Sequence, residues 1–150
     1  MRMKQVFPEP TVGALIFYKG RALLVKGKQS NDLYVIPGGH IEVNETIDHA
    51  LRREVLEETG LHIKKAKLFG IQECIGTLSN IKNRHYIFID YICESTTDKV
   101  VLNNEHKMYL WIKKSKLLEQ KLNRYTKRFI EEYMNGTKSK YSKKIIFNYY

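Results

Sequence analysis

Apolar and polar positions change period along this chain, and the changes mark out its elements. Residues 11–18 and 21–26 are two apolar runs joined around Lys19-Gly20, the pattern of a β-hairpin. Residues 1–10 precede them as a short arm in which Pro8 and Pro10 discourage regular structure. Residues 27–32 are polar and read as a loop. Residues 34–36 read as a short strand stopped by Pro37 and by Gly38-Gly39, a tight turn that also permits close backbone approach to a ligand. A brief extended piece at 40–43 leads into a helix over 46–59. At ~100° per residue Ile47, Ala50, Leu51 and Val55 share one face of it, with Thr46 as N-cap, Asp48 in the first turn and Gly60 as a left-handed C-cap. Beyond the helix, residues 63–78 contain a long strand and 79–84 a polar turn. Residues 85–94 form another strand, in which Ile87, Ile89 and Tyr91 alternate against Phe88 and Ile92. Residues 100–102 pair briefly, 108–112 form a short strand and 114–118 one helical turn. Leu122, Tyr125, Phe129, Ile130 and Tyr133 mark an amphipathic helix that ends near Gly136.

Composition narrows this without redirecting it. A chain of 150 residues, 43% apolar and 28% charged, suits a single domain that buries its core without disulfides or structural metal. No apolar run approaches the ~18 residues needed to cross a bilayer, and Met1-Arg2-Met3-Lys4 is not followed by a signal-peptide core. The expected location is therefore cytoplasmic, with no membrane partner. Cys74 and Cys93 lack metal-binding spacing and read as buried thiols. The formal charge of +10, from 26 basic and 16 acidic residues, favours polyanions. Much of the excess lies after Lys113, away from the acidic helix, which argues against a nucleic-acid partner. The basic tail over 137–150 carries Ile145, Ile146, Phe147 and Tyr149, expected to dock on the domain or on a second subunit of a homodimer.

The helix over 46–59 breaks its own pattern. Glu54 and Glu58 fall inside its apolar arc and Glu57 lies on the border. Carboxylates on the buried-facing stripe, close to the carboxyl end of the helix dipole, are costly on both counts. A solvated acidic helix end would place them in another phase. Arg53 stands one turn before Glu57 and can brace it, but one guanidinium cannot neutralise three carboxylates. The pattern asks for a further cation, and Mg²⁺ favours oxygen ligands while keeping waters and phosphate oxygens in its shell.

These residues stand at set intervals: Gly39, five residues, Glu45, seven residues, Arg53, Glu54, Val55, one residue, Glu57, Glu58, one residue, Gly60, Leu61. The segment resembles the Nudix box of the MutT-like Nudix hydrolases at every fixed position, and the flanking strand pattern is similar to that family. The resemblance implies an α/β/α sandwich, with a mixed central sheet between helices, over residues 1–150. It implies a divalent-metal-dependent pyrophosphohydrolase, using Mg²⁺ with Mn²⁺ able to substitute. The substrate would be a nucleotide-type small molecule: a nucleoside diphosphate derivative such as ADP-ribose or a nucleotide sugar, or a nucleoside triphosphate. Glu54, Glu57, Glu58 and the carbonyl of Gly38 are its implied metal ligands. Glu105, six positions before Trp111, would be a further ligand or the base. Glu58 or Glu54 would double as base, with Glu105 in reserve, and the sequence does not assign it among them because carboxylates sharing a metal cluster act as a unit. Glu45 and Arg53 are implied to orient the loop and helix, and Gly39 and Gly60 to support them.

Markers of particular subgroups are absent. There is no proline where Thr77 stands, no tyrosine from Thr77 to Ser79 and no SQPWPFPxS-like segment, so the substrate stays open. Tyr34, Tyr86 and Phe17 could stack on a base, and His85 and His106 are weaker candidates for substrate contact. The competing class is a nucleotide- or RNA-binding module without turnover on the same fold. The intact set of Arg53, Glu54, Glu57 and Glu58 argues against it.

Overall fold

The two long apolar runs become adjacent strands, β1 (Glu9–Tyr18) and β2 (Arg21–Gly27), in a computed structural model that describes residues 7–75 and 84–136. Lys19 and Gly20 turn the chain with φ of 45° and 76°, the positive pair a tight hairpin needs. The strands pair only at Phe17 with Ala22 and Tyr18 with Arg21, and then part. Two short strands fill the wedge. β3 (Tyr34–Val35) pairs with β2, and β4 (Gly38–His40) pairs with β1 from Thr11 to Gly13. β5 (Ile63–Ile75) runs antiparallel to β6 (His85–Ser95), which lies parallel along the other edge of β1. β7 (His106–Lys113) completes a seven-stranded mixed sheet on the outer edge of β2.

Alternation of side chains about the sheet explains the two packed faces. Val12, Ala14, Ile16, Leu23 and Val25 meet Ala50, Leu51 and Val55 of helix α1 (Ile47–Thr59). On the other face Leu15, Ala22 and Leu24 meet Phe129 and Ile130 of helix α2 (Arg124–Asn135). Leu117, from the 3₁₀ turn at Lys114–Glu119, joins that second cluster. β1 and β2 are covered on both sides, which is why they read as continuous apolar runs rather than as alternating ones. The α/β/α sandwich expected from the sequence is the observed architecture.

Local departures each have a cause. β1 begins at Glu9, inside the expected arm, because Pro10 still contributes its carbonyl, which accepts from Ile41 N–H at 3.0 Å. Gly38-Gly39 is not a tight turn but the body of β4, held by the edge of β1 that β2 vacates. A Cβ at Gly38 would collide with the carbonyl oxygen of Val12. Residues 100–102 form no strand. Val101 N–H instead bonds Thr59 O at 2.9 Å and Asn103 N–H bonds Glu58 O at 3.4 Å, satisfying carbonyls at the end of α1. Cys93 is buried and its thiol is pushed up to about 12 by burial, whereas Cys74 is only half-buried, with Sγ 2.8 Å from Tyr125 Oη. Neither is in a disulfide. No helix among the described residues is long and apolar enough to cross a membrane. The tail at 137–150, with its expected docking residues, and the turn residues 79–83 lie outside the described residues.

Candidate functional site

Helix α1 is fixed at both ends. Thr46 Oγ1 accepts from His49 N–H at 3.2 Å, and Gly60 closes the helix with φ 68°. Packed against β4, α1 presents its last two turns to the Gly38–His40 backbone. Gly38 N–H donates to Glu58 Oε2 at 2.9 Å. Gly39 lies directly over Glu54: a Cβ there would sit 2.5 Å from that carboxyl group, so the glycine makes room for the acid.

Arg53 ties the surrounding pieces together. Its Nε and Nη2 donate to the two oxygens of Glu45 at 2.7 and 2.8 Å, a planar fork on a planar carboxylate. Nη2 also donates to His40 O at 3.0 Å, and Nη1 to Glu54 Oε1 at 2.8 Å and Glu57 Oε2 at 3.4 Å. Glu45 accepts in addition from Glu42 N–H at 3.0 Å and lies 2.6 Å from His49 Nδ1. With its side chain 7% exposed, Glu45 is held well below the usual carboxylate range, first by the Arg53 hydrogen bonds and then by the Glu42 N–H.

Glu58 is in the opposite situation. It is 6% exposed, and one of its oxygens accepts from the Gly38 N–H. Burial, with added repulsion from Glu54, Glu105 and Glu57, pushes its pKa up to about 8. Glu105 therefore belongs to the same electrostatic cluster, although it is exposed and comes from the turn before β7. Its main chain is pinned on both sides: its N–H donates to Asn103 Oδ1 at 3.1 Å and its carbonyl accepts from Lys28 N–H at 2.9 Å.

Glu54 is 15% exposed and Glu57 is 57% exposed, so two of the three box carboxylates turn inward and the border residue turns out. Among the described residues no three acid, histidine or cysteine side chains are gathered closely enough to hold an ion as they stand. Rotation of Glu57 and Glu105, both at the surface, toward Glu54 and Glu58 would supply the missing oxygens. An all-oxygen donor set suits a hard divalent cation. Glu58, buried and beyond the reach of Arg53, is the group such a charge would relieve.

The candidates for substrate contact separate by face. Tyr86 is half-buried on the α2 side of β6, its ring 5.6 Å from Phe88 and 6.0 Å from His40. Tyr34 packs in the α2-side core with Lys26 Nζ 4.4 Å from its ring centre, and Phe17 packs on Tyr133 at 5.7 Å. His85 lies 2.9 Å from Glu73 Oε1, and buried His106 lies 3.2 Å from Asn103 Oδ1.

One residue escaped the sequence reading. Asp90 is 3% exposed, accepts from Gln72 Nε2 at 2.5 Å, and has Oδ1 2.6 Å from where a Cβ on Gly13 would stand. Its signal was present: an acid between Phe88 and Ile92, on the inward phase of an apolar strand. Burial pushes it up to about 6, against a Gln72 hydrogen bond that acts the other way. Raised above its unfolded value, this carboxyl adds stability in full below about pH 4 that is lost as pH rises through about 6. Asp90→Asn is accordingly expected to raise unfolding free energy by roughly 3 kcal/mol at pH 8 and by little at pH 4. Urea unfolding at both pH values checks this.

Against known proteins, residues 8–133 match the family model of the NUDIX domain. The chain is 30% identical over 101 residues to nucleoside triphosphatase NudI of Escherichia coli (strain K12), covering 63% of this chain and 72% of that protein. It is 36% identical over 64 residues to the 8-oxo-dGTP diphosphatase of Buchnera aphidicola, covering 43% of this chain and 52%, or about half, of that relative. The crystal structure of the MutT protein from Methanosarcina mazei Go1 superposes with TM-score 0.74 at 26% identity, covering 90% of this chain and 99% of that one. Fold and site together define an α/β/α protein with a glutamate-bearing helix clamped by an arginine. The chain belongs to the Nudix hydrolase family, whose members generally need divalent metal ions.

Proposed function

We propose that this protein is a divalent-metal-dependent pyrophosphohydrolase that cleaves the diphosphate linkage of a nucleoside triphosphate or a nucleoside diphosphate derivative. The observation that carries the reading is Glu58: a carboxylate buried beside Glu54, within the field of Glu57 and Glu105, and out of reach of Arg53. Family membership and relatives named as nucleoside triphosphatase and 8-oxo-dGTP diphosphatase support the same chemistry. Glu54, Glu57, Glu58, Glu105 and the carbonyl of Gly38 would hold Mg²⁺, or Mn²⁺ in its place. When bound, the cation would neutralise phosphate oxygens, orient the leaving phosphate and lower the pKa of the attacking water. Arg53 contributes by position, locking Glu54 against β4 through the Glu45 fork. Gly38 N–H steadies one oxygen of Glu58 and leaves the other to accept a proton from water, the step a general base performs within about 3 Å of its target.

Phosphate or pyrophosphate release should be measured over a panel of nucleoside triphosphates, ADP-ribose and nucleotide sugars, with Mg²⁺, with Mn²⁺ and with chelator. Turnover of at least one of them, abolished by chelator, is the expected outcome. A chain that binds nucleotides and turns none over would establish the binding-module reading instead.

A further inference from the structure

Asn103 carries none of the roles assigned above, yet three parts of the site meet on it. Its N–H donates to the Glu58 carbonyl at 3.4 Å, which sets its main chain at the last turn of α1. Its Oδ1 accepts from the Glu105 N–H at 3.1 Å and lies 3.2 Å from Nδ1 of His106, the buried first residue of β7. Elementary chemistry decides which atoms face each other. A main-chain N–H only donates, so the amide atom that meets it is the oxygen, and an amide oxygen only accepts. His106 must therefore carry its proton on Nδ1, and the two lone pairs of Asn103 Oδ1 take both donors.

Each of these bonds fixes a different piece. The first holds residue 103 to the helix that bears Glu54, Glu57 and Glu58. The second holds the main chain of Glu105, two residues further on, and the third holds the start of β7 behind it. The Glu105 carbonyl is fastened in addition to Lys28 N–H at 2.9 Å, from the stretch that follows β2. The carboxylate of Glu105 is exposed but stands within the field of Glu58. With the main chain of Glu105 set against α1, rotation of its side chain is the movement left to bring it to Glu54 and Glu58. Ordering a loop residue costs free energy, and a fold that has already ordered it spares the binding step that cost.

On the hydrolase reading of the acids, we infer that Asn103 is a positioning residue for the divalent cation. Its amide oxygen holds Glu105 at a set distance from α1, so that one side-chain rotation completes the ligand set. A purely structural role would act on the whole fold when the oxygen is lost. A positioning role acts through Glu105, and the effect disappears once the Glu105 carboxylate is gone.

Calorimetric titration of the full chain with Mg²⁺ and with Mn²⁺ tests this without requiring turnover. Asn103→Ala should weaken the binding of both cations about 10-fold. Asn103→Asp keeps a side-chain oxygen for both donors and should bind at least as tightly as the wild type. Glu105→Gln should lose affinity by itself, and adding Asn103→Ala to it should cost nothing further. In turnover, Asn103→Ala should shift the Mg²⁺ activation curve to higher concentration and leave KM for nucleotide at saturating Mg²⁺ unmoved. If Asn103→Ala fails to fold, Asn103→Gln takes its place: its oxygen is displaced by one methylene, and the same loss and the same non-additivity are expected. Additive losses in the double variant, unchanged affinity in Asn103→Ala, or equal losses in Asn103→Ala and Asn103→Asp would each overturn the assignment and leave hydrolysis intact. A wild type that takes up neither cation would overturn the metal reading and this one together.

Discussion

Glu58→Gln is expected to lower the hydrolytic rate on the order of 10³-fold while leaving the fold intact. Glutamine preserves the side-chain length and can still accept the Gly38 N–H, so the 2.9 Å contact to β4 survives. What is removed is the negative charge, and with it a metal ligand and a proton acceptor. The stability effect has a defined sign. In metal-free protein the Glu58 pKa is raised to about 8, so its contribution is complete below the unfolded value near 4.5 and lost as pH rises through about 8. Metal-free Glu58→Gln should therefore match the wild type at pH 5 and unfold at higher temperature than it at pH 9. Phosphate-release kinetics and thermal melts at the two pH values measure both halves. A variant with wild-type turnover would remove Glu58 from the site.

Arg53→Lys should cost about 10- to 100-fold in metal affinity or rate and lower the melting temperature. Lysine keeps the charge but offers no planar fork. It cannot bond both oxygens of Glu45 and still reach Glu54 Oε1 and His40 O, as the guanidinium does at 2.7 to 3.0 Å. Because Arg53 positions Glu54, excess Mg²⁺ should restore part of the activity of Arg53→Lys and none of that of Glu58→Gln. An activation curve against Mg²⁺ for each variant separates the two roles, and indistinguishable curves would contradict the positioning role.

The parts of this fold legible in the chain are those set by local periodicity. The phase of Ala50, Leu51 and Val55 placed Glu54 and Glu58 inward and Glu57 at the edge, and their exposures follow that order. Thr46 and Gly60 marked the ends of α1 because capping is decided by a few neighbouring atoms. The continuous apolar character of β1 and β2 pointed to strands covered on both faces. The illegible parts have distant causes. Gly38 and Gly39 have weak strand propensity and become β4 because β1 and β2 part and leave an edge open. Residues 100–103 are drawn to the end of α1 by carbonyls that no local pattern advertises. Asp90 gains its character from Gly13, Gln72 and the burial that three strands provide together.

The contacts from Val101 and Asn103 to the last carbonyls of α1 are made by main chain alone. The exposed side chains of Val101 and Asn104 can therefore drift under selection while the scaffold that delivers Glu105, held also by the Asn103 side chain and by Val100 and Leu102 on the core, stays anchored. Evolution can in this way remodel the rim that greets an incoming molecule without disturbing the acids beneath it.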